Sequence, residues 1–394
     1  MKCVIFVYRG KVRPLVKASY KEDLAKMFER NNRISIISKA ILLLAMVCIS
    51  LKAWSFDLSF YSDTSRLATG HWVKVAVSES GIYQITSSDA SKWGFSDLSR
   101  VRVFGYGGKQ LSDTLRADQF VDDLPQVPVI RTGDRILFYA HGPLSWKWTT
   151  SFAMYKQVQH PYATEGYYFI TEDSSISDLT PTHSDITPEG EIVNTFTERL
   201  YHEAELINPG ETGRVLLGED FTNTNSQAFK FTLDGLVDGS TVDVLTRFAT
   251  KTLGSNSSVS FKYNGTNIEG SLSIKEIDPK DPSHYHYNAS QSHKQFKLSG
   301  TKDLTYTITY SPAGTVTLAR LDYITINYKR QLDMSGKSSL TFGVSAPAQP
   351  TQYELSGVTS STHVWDLSRK EGPVELNLSV EGSKARFRDR KSVV

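Results

Sequence analysis

Two adjacent pairs in the middle of the chain, His202-Glu203 and Glu219-Asp220, contain the residues best suited to acid–base chemistry. A histidine near a carboxylate can act as a general base when a reacting group lies within reach. No histidine follows His202 four residues later, so this segment does not match the helical motif of zinc peptidases. Isolated polar residues in a strand-rich segment usually occupy turns or the rim of a sheet. We therefore interpret all four residues as structural and predict no catalytic residue.

Histidines and aspartates that could bind metals form only short clusters. His284 and His286 would share one face of a strand, and His293 could join them only if a turn folded it back. Two histidines without a neighbouring carboxylate make an incomplete metal site. A further set of carboxylates offers oxygens but matches no complete calcium loop: Asp122, Asp123, Asp278 and Asp281. We predict surface histidines and solvated turns here, with no metal and no cofactor.

The segment Phe104-Gly105-Tyr106-Gly107-Gly108 resembles a glycine-rich phosphate loop. It lacks the lysine and hydroxyl pair of such loops, and no amphipathic helix clearly follows it. We predict a turn that ends a strand, since glycine adopts positive φ angles without steric cost. Four tryptophans of the same block should serve its small core, with a carbohydrate platform as the alternative: Trp72, Trp93, Trp146 and Trp148.

The N-terminal segment has the order of features found in secretory signal peptides. A basic stretch that ends at Lys39 precedes an apolar run at Ile41–Ile49, which is too short to span a bilayer as a helix. The small residues of Ala53-Trp54-Ser55 follow, so we predict cleavage between Ser55 and Phe56. Residues 1–55 are interpreted as a mis-extended start, with Met27 as the true start, followed by the signal peptide. A single membrane anchor is the alternative.

Cysteine and charge restrict the possible functions. The only cysteines are Cys3 and Cys48, both before the predicted cleavage point, so the mature chain would have no thiol for a disulfide, a zinc site or a nucleophile. Residues 1–39 have a net charge of +7 and the remaining chain has −5. An acidic body is poorly suited to binding nucleic acid, which requires clustered basic residues.

The elements that would hold these residues are short strands separated by turns. Trp72–Val77 alternates apolar and polar residues, and Glu79-Ser80-Gly81 is a turn signal before Ile82–Thr86, which predicts a hairpin. Ser87 to Leu98 could form a short helix with Ser87 or Ser88 as N-cap.

The fold class predicted from this pattern is mainly β, in several parts. The domains are an N-terminal β-rich domain at 56–171, a linker at 172–194, a jelly-roll-like sandwich at 195–330 and an incomplete β domain at 331–388. In the last domain, Val364–Leu367 and Leu376–Leu378 should be exposed strands. Residues 389–394 are interpreted as an artefactual tail, because one back-translation of them reads like a sequencing adapter.

Several motifs recur in an order and spacing typical of one family. In the first block they are Thr69–Val77, Ser80–Thr86, Arg102–Gly108, Asp134–Pro143 and Gly166–Thr171, and further along the chain they are His202-Glu203, Gly213-Arg214, Gly218-Glu219, Leu321–Ile324 and Val364–Leu367. With these motifs the chain resembles the N-terminal region of the type IX secretion system sortases, which are gingipain-like cysteine peptidases. The likeness covers roughly residues 60–387.

The resemblance implies a protein of the Gram-negative outer membrane that works with other secretion-system components. Such sortases remove C-terminal signals from cargo proteins and attach the cargo to the cell surface, using a cysteine and a histidine in a domain that follows the β-rich region. This chain matches only the region before that domain, so it should be truncated before the catalytic domain and inactive alone. The alternatives from the sequence are an exported β-sandwich binding module, which could hold glycan through Tyr263, Tyr285 and Tyr287, and a surface or adhesin protein.

Overall fold

The computed structural model describes residues 61–112, 120–184, 190–211, 213, 215–278, 280, 289–343, 351–368 and 373–388. The described residues from 62 onward belong to one compact unit. Within these ranges lie twenty-four strands, one α-helix, α1 (Ser87–Lys92), and 3₁₀ turns at Arg66–Ala68 and Leu98–Arg100.

The strands, in chain order, are β1 (Trp72–Val77), β2 (Gly81–Thr86), β3 (Val101–Gly107), β4 (Val129–Thr132), β5 (Arg135–Ala140), β6 (Ser145–Thr149), β7 (Met154–Val158), β8 (Gly166–Glu172), β9 (Thr182–Ser184), β10 (Glu191–Val193), β11 (Thr195–Glu203), β12 (Ser226–Thr232), β13 (Thr241–Leu253), β14 (Ser257–Tyr263), β15 (Thr266–Asn267), β16 (Leu272–Ile274), β17 (Ser290–Ser299), β18 (Asp303–Ser311), β19 (Thr315–Gln331), β20 (Thr351–Ser356), β21 (Trp365–Asp366), β22 (Val374–Leu376), β23 (Ser379–Glu381) and β24 (Lys384–Phe387). The predicted mainly β fold is confirmed.

The first block packs two three-stranded sheets, β1-β8-β3 and β2-β5-β4, around one apolar core. Val77, Val103, Ile136, Phe138 and Ile170 are each at most 2% exposed. β1 pairs with β8 and β2 pairs with β5, so the predicted hairpin of β1 with β2 is wrong. Alternation determines which face of a strand is buried, whereas the hydrogen-bonding partner depends on contacts far away in sequence.

Helix α1 begins one residue earlier than predicted. Its N-cap is Thr86, whose hydroxyl accepts a hydrogen bond from the Asp89 amide while the Asp89 carboxylate accepts one from the Thr86 amide. This reciprocal capping box is a stronger start signal than a serine alone. The helix ends after Lys92 instead of reaching Leu98, because Gly94 adopts a φ of +85°.

The second block is a two-layer antiparallel sandwich. One sheet has the order β11-β19-β13-β17, and the other has the order β12-β18-β14-β15 with β16 paired to β14. Alternate residues of both sheets meet in a core that includes Val244, Phe248, Phe261, Tyr306 and Ile326, each at most 1% exposed. The opposite face of the first sheet, called the outer face below, carries the polar side chains discussed in the next section.

The last block differs from the predicted linker and incomplete domain. Its sheets, β10-β20-β24-β23 and β21-β22-β9, each contain one strand from the stretch predicted to be a linker. β10 pairs in parallel with β20, and β9 pairs in parallel with β22. Val364 and Leu376, predicted to be exposed, are 8% and 7% exposed and pack in this core. Parallel pairing over such sequence distances leaves no local pattern that a sequence reading could detect.

Within the described ranges, none of the helical segments has the length and apolar character of a membrane-spanning helix. The predicted cleavage residues Ser55 and Phe56 lie outside the described residues, as does the interpreted tail at 389–394.

Candidate functional site

The hairpin of β6 and β7 lies against the outer face of the sandwich and covers a cluster of charged side chains. The Asn327 side chain binds the hairpin backbone as a neighbouring strand would: its Oδ1 accepts from the Tyr155 amide at 2.7 Å and its Nδ2 donates to the Tyr155 carbonyl at 2.9 Å. The Gln295 side chain donates to the Phe152 carbonyl at 2.9 Å. Met154, 1% exposed, packs between Leu245 and Tyr323. These contacts attach the first block to the sandwich.

A β-bulge in β19 directs an acidic side chain into this cluster. Arg247 of β13 pairs with Tyr323, and the next residue, Phe248, pairs with Leu321, so Asp322 has no register partner on β13. Bulges commonly redirect a side chain near functional sites. Here the bulge places Asp322, only 4% exposed, beside Arg247 on the covered face.

Among the described residues, the two carboxylates of the cluster, half-buried Glu203 and buried Asp322, have few hydrogen-bond donors. Glu203 accepts one hydrogen bond, at 2.9 Å, from the side chain of Gln157, which in turn accepts from the Thr325 hydroxyl at 2.5 Å. Asp322 Oδ2 lies 3.1 Å from Arg247 Nε, but the atoms are not aligned for a hydrogen bond, and each is buried without another hydrogen-bond partner among the described residues. We regard this contact as an ion pair of poor geometry.

Burial dominates the protonation of these acids. It raises the pKa of Glu203 to about 7, and the nearby carboxylates of Asp322 and Glu205 add to the effect against the Gln157 hydrogen bond. Burial also raises the pKa of Asp322 to about 6, although Arg247 and Lys156 oppose the shift. Removing a carboxylate from water disfavours its charged form, so neither acid is fully compensated by its surroundings.

The basic groups of the cluster are shifted in the opposite direction. Burial lowers the pKa of Lys156, with a further contribution from Arg247, and the Lys156 ammonium lies 4.4 Å from the centre of the Tyr323 ring. Burial, together with Arg247 and Lys156, lowers the pKa of His293 to about 4. His293 is therefore neutral at pH 7 and packs against the ring of Phe152.

A cavity of about 610 Å³ opens beside the hairpin, next to this cluster. Trp148, 46% exposed, forms one wall, and Glu203, Glu205, Asp322 and Tyr323 also line the cavity. The volume is in the range of small-ligand sites. Carboxylates, a phenol and an aromatic wall are suited to binding a ligand. Among the described residues, no hydroxyl or thiol nucleophile is hydrogen-bonded to a base at this cavity.

The structure brings His202 and Glu219 together, 2.6 Å apart, at the edge of the sandwich. Burial alone would raise the pKa of Glu219, but hydrogen bonding to His202 and to backbone lowers it below its usual value. Asp220 instead lies 3.6 Å from Arg320. No serine or threonine hydroxyl is hydrogen-bonded to His202 among the described residues, so the pair has no nucleophile to activate.

The other candidates have structural contacts where they are described. Asp122 and Asp123 accept hydrogen bonds from the amides of Ser62 and Arg66, and Tyr263 donates to the Ser299 carbonyl. Asp281, His284, Tyr285, His286 and Tyr287 lie outside the described residues. Asp278 accepts from the Lys280 amide. Across the described ranges, no group of three or more His, Cys, Asp and Glu side chains is arranged to hold a metal.

The glycine-rich segment packs backbone against backbone and leaves no space for a phosphate. A Cβ on Gly107 would lie 2.4 Å from the His141 carbonyl oxygen, and one on Gly108 would lie 2.5 Å from the Gly142 carbonyl carbon. A Cβ on Gly166 would lie 2.1 Å from the Gly108 nitrogen. These glycines therefore allow close packing at the end of β3.

The tryptophans divide between the core and the hairpin. Trp93 packs at the edge of the first core, whereas Trp146 and Trp148 lie on β6. The Arg199 guanidinium lies 5.4 Å from the Trp146 ring and 5.2 Å from the Tyr155 ring. The sequence did not predict that Glu203, Asp322 and Arg247 form one cluster. The signal available in the sequence was a single charged residue among the apolar residues of Leu321–Ile324.

Comparison with solved structures shows an extensive likeness to one described as dimeric latent PorU from Porphyromonas gingivalis. The two chains are 28% identical with a TM-score of 0.71, and the match covers 83% of this chain and 31% of that chain. This chain thus has a PorU-like fold and spans about a third of that structure's length. A family 35 carbohydrate-binding module from Clostridium thermocellum matches 34% of this chain and 90% of its own at 10% identity, but its TM-score of 0.21 is too low to inform function. No protein-family model and no curated protein matches the chain.

Proposed function

We propose that this chain is the non-catalytic N-terminal part of a type IX secretion system sortase. The single observation that supports this most strongly is the likeness to PorU, at 28% identity over 83% of the chain. The motif order quoted in the sequence analysis supports the same proposal. The parent protein would be a gingipain-like cysteine peptidase that removes C-terminal signals from secreted cargo and attaches the cargo to the cell surface.

The proposed role of this region is to position the peptidase domain and its cargo. Side-chain hydrogen bonds from Asn327 and Gln295 to the β6–β7 hairpin join the first block to the sandwich, which suits a scaffold. We propose that the protein is exported, that it lies at the outer membrane or cell surface, and that its partners are cargo proteins and other secretion components. Nucleic acid is not among the proposed partners, because the body after residue 39 is acidic.

A chimera tests the proposal. In a Porphyromonas gingivalis strain that lacks its own PorU gene, residues 56–388 of this chain would replace the matching region of PorU, ahead of the native peptidase domain. We expect cargo to lose its C-terminal signal, as detected by immunoblot. Matched controls are the same chimera with its catalytic cysteine changed to alanine and this chain expressed alone, neither of which should process cargo.

A chimera that is present at the cell surface but leaves cargo unprocessed would contradict the proposal. Surface accumulation of this chain alone, together with that failure, would instead favour an exported binding module or adhesin. Surface labelling and protease resistance of the chimera separate a defect of function from a defect of folding.

A further inference from the structure

Two carboxylates that face the cavity beside the hairpin, Glu203 and Glu205, form no salt bridge among the described residues, although the charge of Lys156 acts on Glu203 from beyond salt-bridge distance. Asp322 has its ion pair with Arg247, and the Lys156 ammonium lies over the Tyr323 ring. Among the described residues, no lysine or arginine nitrogen lies within ion-pair distance of Glu203 or Glu205, and both line the cavity. Glu203 is half-buried, whereas Glu205 is exposed at the opening.

An ionised Glu203 in this position is poorly satisfied. A carboxylate can accept about four hydrogen bonds, and from the described residues Glu203 receives one, donated by a neutral amide. A half-buried charge with so few donors is stabilised either by taking up a proton or by contact with a bound cation. Glu205 at the opening makes the second solution more favourable, because its charge would also attract the cation, whereas the charge of Asp322 is offset by Arg247.

The cavity walls indicate which kind of ligand would present the positive charge. The Trp148 ring packs edge-to-face against Tyr155 at 5.1 Å and remains 46% exposed. Val158 and Leu216 add apolar surface at the same cavity. Arginine and lysine side chains have this combination of an apolar stem and a charged end, and their charged groups also bind aromatic faces.

We propose that the cavity binds a basic side chain, arginine or lysine, of a polypeptide partner. Glu203 and Glu205 would accept its hydrogen bonds, and Trp148 would contact its stem. A multivalent metal ion is disfavoured because the described residues contain no three-ligand cluster.

The charges of the other ionisable groups at the cavity oppose or support the binding of a cation. Arg247 of β13 and Lys156 of β7 repel a cation, but Asp322 of β19 offsets one of these charges. Lys147 of β6 lines the cavity, and Tyr323 of β19 remains neutral because burial raises its pKa. His293 of β17, described above, is uncharged at neutral pH.

The test titrates the full chain with Nα-acetyl-argininamide and Nα-acetyl-lysinamide, followed by nuclear magnetic resonance or calorimetry. The neutral isostere Nα-acetyl-citrullinamide is the matched control ligand. We expect saturable binding of at least one cationic probe at or below about 10 mM and none of citrulline. Because Glu203 would ionise near pH 7, affinity should rise about tenfold from pH 6 to pH 8.

Variants identify the groups responsible. Glu203→Gln should weaken binding at least about tenfold and remove its pH dependence. Trp148→Ala should weaken binding without abolishing it. Glu381→Gln, an exposed charge change on β23, should change the affinity less than about twofold. Equal binding of citrulline and arginine, equal affinity of wild type and Glu203→Gln, or no saturable binding would overturn the proposal. Circular dichroism confirms that each variant is folded.

Discussion

At the scale of single residues, Glu203 has surroundings that differ strongly from those of a carboxylate in water. Its pKa is raised to about 7 chiefly by burial, whereas an unfolded glutamate titrates near 4.5. The native state therefore binds more protons than the unfolded state between these values, and stability falls as the pH rises from about 4.5 through about 7. Below that window both states are protonated and the effect vanishes.

Replacing Glu203 with glutamine should remove this pH dependence. The amide keeps a neutral hydrogen-bonding group beside Gln157, so we expect Glu203→Gln to be more stable than wild type by about 1–3 kcal/mol at pH 8 and similar to it at pH 4.5. Urea denaturation at both pH values measures this. Glu381→Gln should change neither value, and a Glu203→Gln protein less stable than wild type at pH 8 would show that the ionised carboxylate is well compensated.

Asp178 illustrates the opposite case. Its carboxylate makes two hydrogen bonds of 2.7 Å with Arg131, and Arg102 Nη1 lies 3.2 Å away. The Arg131 hydrogen bond, with help from both arginine charges, lowers the pKa of Asp178. The stabilisation is therefore present above the unfolded pKa and is lost as the pH falls through the folded value.

We expect Asp178→Asn to destabilise the protein by about 1–2 kcal/mol at pH 7, because two arginines lose their carboxylate partner, keeping only backbone carbonyls as acceptors, and Arg102 is 7% exposed. Chemical denaturation provides the measurement. Asp134→Asn is the matched control, since Asp134 pairs with Arg135 at a position where its side chain is 70% exposed. Equal losses for both variants would mean that the Asp178 network contributes no more than an ordinary surface pair.

Among the elements, β19 contributes side chains both to the core face and to the outer face of its sheet. One set of its residues fills the core, and the other set, Tyr323, Thr325 and Asn327, contacts the β6–β7 hairpin. Buried threonine and asparagine side chains on a strand are costly without partners. The hairpin supplies these partners through Gln157 and the Tyr155 backbone, so the polar outer face and the hairpin depend on each other.

Asn327→Ala should loosen the hairpin selectively. It removes both hydrogen bonds to Tyr155 and leaves that amide and carbonyl with water as their only alternative, at a cost of about 1–3 kcal/mol. Hydrogen exchange should become faster at amides of 145–158 while the β13 amides stay protected. Asn223→Ala, which removes an exposed hydrogen bond to Asp220, is the control. Unchanged exchange in the hairpin would contradict the attachment described here.

The sequence predicted elements better than it predicted their partners. Alternation at Val73, Val75 and Val77 identified β1 and its buried face, because that signal is local. The pairing of β1 with β8 depends on residues about ninety positions away, and the Asp322 bulge depends on the register of β13. The candidate site combines residues of six strands, so no single motif could reveal it.

At the level of the whole molecule, export is the first property to test. The basic stretch, short apolar run and small residues before Phe56 predict signal cleavage after Ser55. Expression of the full chain in a Gram-negative host, followed by N-terminal sequencing of the exported protein, should give a sequence that begins at or near Phe56. Retention of Met27 on a membrane-embedded product would instead support the membrane-anchor alternative.

Residues 172–194 have two interpretations, a linker or an ordered part of the last block, and substitutions can distinguish them. A linker would tolerate substitution, whereas the structure makes β10 an edge strand that pairs with β20 and packs Val193 against the last core. Ile192, the preceding residue on the same strand, points the other way and is 46% exposed. Adjacent strand residues face opposite sides, so these two positions are a matched pair.

We expect Val193→Asp to destabilise the last block by about 2–4 kcal/mol, because the substitution places a carboxylate against apolar side chains such as Tyr353 and Phe387. Ile192→Asp should change its stability by no more than about 0.5 kcal/mol. Hydrogen exchange provides the measurement: amides of β20 and β24 should lose protection in Val193→Asp alone, while those of β13 in the sandwich should remain protected in both variants. Equal behaviour of the two variants would restore the linker interpretation, and loss of protection in β13 would show that the last block and the sandwich unfold together.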